Sequence, residues 1–256
     1  MQTAPDCPFD LTARRSQVNI PPLSESGRGA VAGYQAIVDH VRREIALGRL
    51  APGDKLPAER RLAEQLGVAR ETLRQALRVL EGAGEISIQR GSSGGAFVRP
   101  SDEDPAARLR ALQGKRGEIL ELVQFRGIVE AAAARLAAEA RTAELVERLD
   151  AAIVDMEHAT TLAESRRADT DFHLAIAEGS GNALLVRAVE DARVRMFEPV
   201  DVLAVHFVKS SSLDAHRALR AAIAAGDGAA ADREMRDHLA TTAGEFERLI
   251  EGPPAG

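Results

Sequence analysis

Two short helical patterns separated by three residues constrain this chain more than anything else in it. Across "AERRLAEQLGVARETLRQALRVLEGAG", residues 58–84, Leu62, Ala63 and Leu66 recur at helical spacing, Gly67 ends the run, and the spacing resumes at Leu73, Leu77 and Leu80. A link that tight defines a helix-turn-helix. The first of the two begins with Pro57 in its opening turn and Glu59 complementing its dipole; the second puts Arg70, Arg74 and Arg78 on the side opposite its leucines. Upstream, "YQAIVDHVRREIALGRL" carries Ile37, Val38, Val41 and Ile45 at helical spacing. Downstream, "EISIQ" alternates like a half-buried strand, "RGSSGG" is a turn, and "AFVRP" reads as a returning strand halted by Pro100. Three helices and a hairpin make a winged helix-turn-helix.

Charge is distributed unevenly around that module. The formal net charge is −6, yet residues 31–100 hold 11 Lys+Arg against 8 Asp+Glu, while residues 101–256 hold 19 against 28. A basic front joined to an acidic back suits a DNA reader with a separate sensing domain, because phosphate contact needs only local positive potential. The length of 256 residues fits two units with their own cores. No apolar run approaches membrane-spanning length, and residues 1–30 lack the basic start and apolar middle of a secretory signal, so the expectation is a cytoplasmic protein without a membrane partner. Those first 30 residues read as a disordered tail in which Cys7, the single cysteine, is incidental.

Residues 101–117 are polar, with Pro100 just before them and Pro105 within them, and read as a linker between modules 31–100 and 118–250. Everything after them reads as helix, over 118–140, 142–158, 161–179, 182–203, 209–225 and 228–250. The fold class expected is therefore mainly α, a winged helix-turn-helix followed by an all-α antiparallel bundle. Within "ADTDFHLAIAEGSGNALL", Asp169 and His173 stand four apart and project from one helical face, where both can approach one metal. His216 and His238 lie on two further helices and could converge with them. His40, His158 and His206 fit no such position and take a surface or structural reading, and Asp171 points away from the pair.

The front half resembles the GntR family of bacterial transcription regulators over residues 34–99, on "IALGRLAPGDKLPAERRLAEQLGVARETLRQALRVLEGAGEI". That resemblance implies DNA contact by Arg60, Arg70, Thr72 and Arg74, with Arg90 and Gly91 of the wing entering the minor groove. Arg78, deeper in the helix, is not assigned. The chain departs from the family at Ala69, where Ser or Thr usually caps the third helix. The back half is similar to the FCD ligand-binding domain of the family's FadR branch, on "DTDFHLAIAEGSGN" and "HRALRAAIAAGDGAAADREMRDHL". This likeness implies a divalent metal held by Asp169, His173, His216 and His238: zinc first, with nickel, manganese or iron as alternatives.

It also implies an effector site. Arg126 sits where the family commonly turns an arginine toward the pocket, against the alternative of an intrahelical pair with Glu130; Asn182 is either an effector contact or the cap of the next helix. The function expected is a homodimeric regulator of double-stranded operator DNA, controlled by a small organic acid near the metal. Two rivals stand beside it. One is a ligand-independent dimeric DNA binder; the other is a metal-dependent hydrolase or lyase, which three histidines and an aspartate with open positions could support.

Overall fold

The computed structural model describes residues 20–23, 33–91, 94–100, 105–200 and 205–251. It divides into two compact units, one of residues 1–45 and 49–101, the other of residues 46–48 and 102–256. In the first, α1 (Tyr34–Ala46), α2 (Glu59–Leu66) and α3 (Arg70–Gly82) are followed by β1 (Ile86–Gln89) and β2 (Gly95–Val98), an antiparallel pair in the register Ile86↔Val98. Leu62, Ala63 and Leu66 of α2 and Leu73, Ala76, Leu77 and Leu80 of α3 are buried in one cluster with Ile37, Val38 and Val41 of α1. Each fully buried leucine contributes roughly 1.5–3 kcal/mol. Arg42 ties α1 to the start of the hairpin through a bidentate pair with Glu85 at 2.7–3.1 Å.

Two expectations are corrected here. Pro57 does not open α2: the helix starts at Glu59 with Ala58 as an extended N-cap, because Leu56 N–H donates to Ala96 O and holds the preceding residues along β2. Ile20 and Leu23, read as part of a disordered tail, are buried in the core of this unit, and the carbonyl of Pro21 lies 2.8 Å from His40 Nε2. Apolar residues on either side of a Pro-Pro step supply both an extended path and something to bury. Cys7 and the rest of residues 1–30 lie outside the described residues.

The second unit is all helix: α4 (Pro105–Gly114), α5 (Arg116–Ala140), α6 (Ala143–His158), α7 (Leu162–Gly179), α8 (Ala183–Val200), α9 (Val205–Ala225) and α10 (Gly228–Glu251). Helix α4 falls inside the stretch read as a linker. Its residues between the proline and the glycine are strong helix formers, and its Leu112 is buried with Ile119, Val123, Met196 and Phe246. Helix α5 packs against α7, α8, α9 and α10, and its alanines at 131, 133, 134, 137 and 138 let those neighbours approach closely. A capping box starts α7: Thr161 Oγ1 accepts from Glu164 N–H at 3.2 Å and the Glu164 carboxylate accepts from Thr161 N–H at 3.1 Å. That fixed start sets which residues of α7 face inward, and residues 172–177 are all buried.

Candidate functional sites

The turn between α2 and α3 is built by Gly67, whose φ of 68° and ψ of 34° cap α2 while its N–H reaches the carbonyls of Ala63 and Glu64. This left-handed residue swings α3 so that its leucines face inward and Arg70, Arg74 and Arg78 face solvent. Arg70 is the first residue of α3, and Thr72 beside it is half-buried. Ala69 is the N-cap and makes no side-chain cap bond. Arg74 Nε donates to Glu59 at 2.9 Å, and Arg60 pairs with Glu64 at 3.1 Å, all four side chains being exposed. Exposed pairs of this kind are worth about 0–1 kcal/mol, so a phosphate or a base edge can displace them. Arg90 and Gly91 are exposed at the end of β1, with Gly91 at φ +111°; the rest of the wing tip, Ser92 and Ser93, lies outside the described residues. Glu59 as a partner of Arg74 has no sequence signal, since the two are joined only by the crossing of their helices.

In the second unit, α7, α9 and α10 bring Asp169, His173, His216 and His238 together, and one ligand atom from each lies within 4.8 Å of every other. The three histidines are buried and Asp169 is partly exposed. Nε2 of His216 is 3.3 Å from Nε2 of His173 and 3.5 Å from Asp169 Oδ1, which is itself 3.7 Å from His173 Nε2. Nδ1 of His216 is buried and, among the described residues, has no hydrogen-bond partner. Two imidazole nitrogens facing each other beside an ionised carboxylate oxygen form a donor set that fits a divalent cation.

Two buried charged residues flank this set, and sequence reasoning gave neither a role in it. Glu130 on α5 divides its carboxylate between Arg126, whose Nε donates to Oε1 at 2.5 Å, and His173, whose Nδ1 is 2.5 Å from Oε2. Burial would raise the Glu130 carboxyl, but Arg126 and His173 together hold it well below the usual carboxylate range. An ionised Glu130 accepts a hydrogen bond from Nδ1–H of His173, leaving the lone pair of Nε2 facing the cluster. On the other side, Nη2 of Arg193 donates to Asp169 Oδ2 and, at 3.2 Å, to Thr170 Oγ1. Burial alone would likewise raise Asp169, yet the guanidinium of Arg193 keeps it ionised. Burial pushes His216 well below the ordinary histidine value, and burial with the neighbouring His173 pushes His238 down to about 3. A carboxylate already ionised and two imidazoles already neutral are in the protonation states a metal requires.

Of the two readings given to Arg126, the structure shows the intrahelical pair. It pairs with Glu130 at i+4, and it is 3 % exposed. Among the described residues its Nη1 meets the thioether of Met196, a weak acceptor, at 2.6 Å. Asn182 is exposed and caps α8, its Oδ1 accepting from Leu184 N–H at 3.0 Å. The structure does not gather it with the cluster residues. His158 Nδ1 lies 2.8 Å from Val154 O, Asp171 pairs with Arg167 at 3.8 Å, and the side chain of His206 lies outside the described residues.

Comparison with known proteins matches the two units to two families. Residues 33–98 match the family described as bacterial regulatory proteins, gntR family, and residues 121–241 match the FCD domain. The chain is similar to the HTH-type transcriptional regulator LutR of Bacillus subtilis (strain 168), 30% identical over 220 residues that span 81% of this chain and 100% of that protein. It is also similar to the Glc operon transcriptional activator of Escherichia coli (strain K12), 34% identical over 175 residues, 65% of this chain and 68% of the activator. Among solved structures, E. coli McbR/YncC has the same fold with a TM-score of 0.51 at 19% identity, covering 84% of this chain and 96% of that one. These families and relatives are transcription regulators, which removes the hydrolase or lyase reading.

Proposed function

Because this chain belongs to the gntR family of bacterial regulatory proteins and carries an FCD domain, we propose that it regulates transcription in response to a small organic acid bound beside a divalent metal. The observation that carries the reading is the convergence of Asp169, His173, His216 and His238 from three helices, with Glu130 and Arg193 fixing the first two. These four side chains would hold the ion, zinc first among candidates. When bound, the ion supplies coordination positions that a carboxylate oxygen of the effector can occupy. Arg126 offers the second anchor: a buried guanidinium whose Nη1 partner, among the described residues, is a weakly accepting sulfur favours a further anion.

DNA recognition falls to residues 31–100, through Arg60, Arg70, Thr72 and Arg74 in the major groove and Arg90 and Gly91 at the wing. Residues 118–250 form the effector and metal domain, with 101–117 between. Two copies bind a palindromic operator, since one small winged helix reads too few base pairs for specificity alone. An effector that prefers one dimer arrangement by about 5.5 kcal/mol converts a 1:99 population to 99:1, enough to repress or activate.

The test is zinc uptake by the purified chain in competition with a chromophoric chelator, followed by melting against a panel of hydroxy acids, sugar acids and dicarboxylates with and without EDTA. The wild type is expected to take up zinc, His173→Ala and His216→Ala to lose it, and one class of acid to raise the melting temperature only in the metal-loaded protein. A chain that takes up no metal, and that no acid stabilises, would instead be a dimeric DNA binder whose helical unit has no ligand.

A further inference from the structure

The two oxygens of Asp169 have separate partners. Oδ1 faces the imidazoles, 3.5 Å from His216 Nε2 and 3.7 Å from His173 Nε2, whereas Oδ2 receives Nη2 of Arg193. Arg193 is fully buried on α8, and the same nitrogen donates to Thr170 Oγ1, itself fully buried one residue beyond Asp169. A carboxylate chelates a cation through both oxygens only by turning its plane to present both. Here that rotation would take Oδ2 from a charge-assisted bond and leave a buried guanidinium without its carboxylate, which is a strongly unfavourable exchange.

We propose that Arg193 is a positioning residue that limits Asp169 to one ligating oxygen and thereby keeps a coordination position open for an exogenous anion; this rests on the metal reading above. Three imidazoles and one oxygen occupy four positions, and an ion that accepts five or six ligands keeps the remainder for solvent or effector. In its absence Asp169 would close one of those positions. The residue therefore acts on what the site can accept, through Asp169, without touching the ion. Its neighbourhood in the sequence, "VEDARVRMF", reads as an ordinary charged helix face and gives no sign of this.

Cobalt(II) in place of zinc tests the assignment, because its visible bands report coordination number, and azide serves as the small anionic probe of an open position. In the wild type, azide is expected to bind and shift the cobalt spectrum. Arg193→Gln is expected to alter the spectrum before azide is added and to weaken azide binding roughly tenfold or more, the scale of losses when an outer partner of a metal ligand is removed. Arg193→Lys, which keeps the charge, should return both readouts toward the wild type. Thr170→Val, which removes only the second acceptor of the guanidinium, should fall between, and it carries the test with Arg193→Lys should Arg193→Gln fail to fold. An Arg193→Gln protein with the wild-type spectrum and azide affinity would overturn the inference, as would a cobalt-loaded wild type that azide leaves unchanged. A wild type that takes up no cobalt at all removes the metal reading itself, and this inference with it.

Discussion

Glu130 decides which nitrogen of His173 faces the cluster. With its carboxylate held ionised by Arg126 and bonded to Nδ1, only Nε2 is left with a lone pair. Glu130→Gln, which cannot accept from both neighbours in the same way, is expected to weaken zinc binding by about 10–100-fold in a chelator competition, with an unchanged affinity pointing to packing alone as the orienting force. The histidines also link stability to pH. His238 is pushed down to about 3 by burial, in surroundings that include His173, Asp169, Arg126 and Glu130, so the unfolded chain takes a proton first as pH falls. Its contribution is full above about pH 6.5 and is lost as pH falls toward 3, by roughly 2 kcal/mol at pH 5. Urea unfolding with EDTA present, at pH 7 and pH 5, should show a smaller loss in His238→Gln than in the wild type, the remainder coming from the equally buried His216. At this scale the sequence was partly legible. Asp169 and His173 could be paired from helix geometry alone, but His216 and His238 come from helices whose meeting is a tertiary fact, so only resemblance joined them. Glu130 and Arg193 resembled surface charges because burial depends on which helix covers them, and no local pattern encodes that.

The element proposed to read DNA, α3, carries an avoidable weakness at its start. Helix α3 begins after Ala69, whose φ of −67° and ψ of 142° suit a capping residue but whose side chain cannot accept from the free N–H groups behind it. Ala69→Ser supplies the missing oxygen without altering the backbone. It is expected to stabilise the chain by about 1 kcal/mol in urea unfolding and to tighten binding to a duplex by adding a hydroxyl donor at the helix start. No gain in stability would mean that solvent already satisfies those N–H groups. The elements themselves were largely legible, since α2, the turn at Gly67, α3 and the hairpin follow from spacing, a left-handed glycine and alternation. What failed was weighing. The prolines near residue 101 outweighed the helix formers after Pro105, hiding α4, and the Pro-Pro step before Leu23 read as tail although its flanking apolar residues are buried. In both places a breaker residue was local and visible, and the burial that overrode it was not.

At the scale of the molecule, the cores are drawn from different stretches of chain: the first unit's cluster runs from Ile20 to Val98 and the main cluster of the second from Ala131 to Leu239. Burial within separate clusters predicts a cooperative unfolding transition for each unit. The proposed metal belongs wholly to the second cluster's helices, so it should stabilise that unit alone, by about 2.7 kcal/mol when free zinc is a hundredfold above its dissociation constant. Leu77, buried in the first cluster, supplies the opposite handle, since Leu77→Ala should cost that unit about 2–5 kcal/mol. Calorimetry of the full chain is therefore expected to resolve two transitions, one raised by zinc and returned by EDTA, the other lowered by Leu77→Ala. Each perturbation acts where its residues pack. A single transition moved by both would mean that the units unfold as one body, and regulation would then travel through shared stability. Two independent transitions would leave the effector to act by biasing how folded units are arranged, which requires a difference in affinity between arrangements and no unfolding at all.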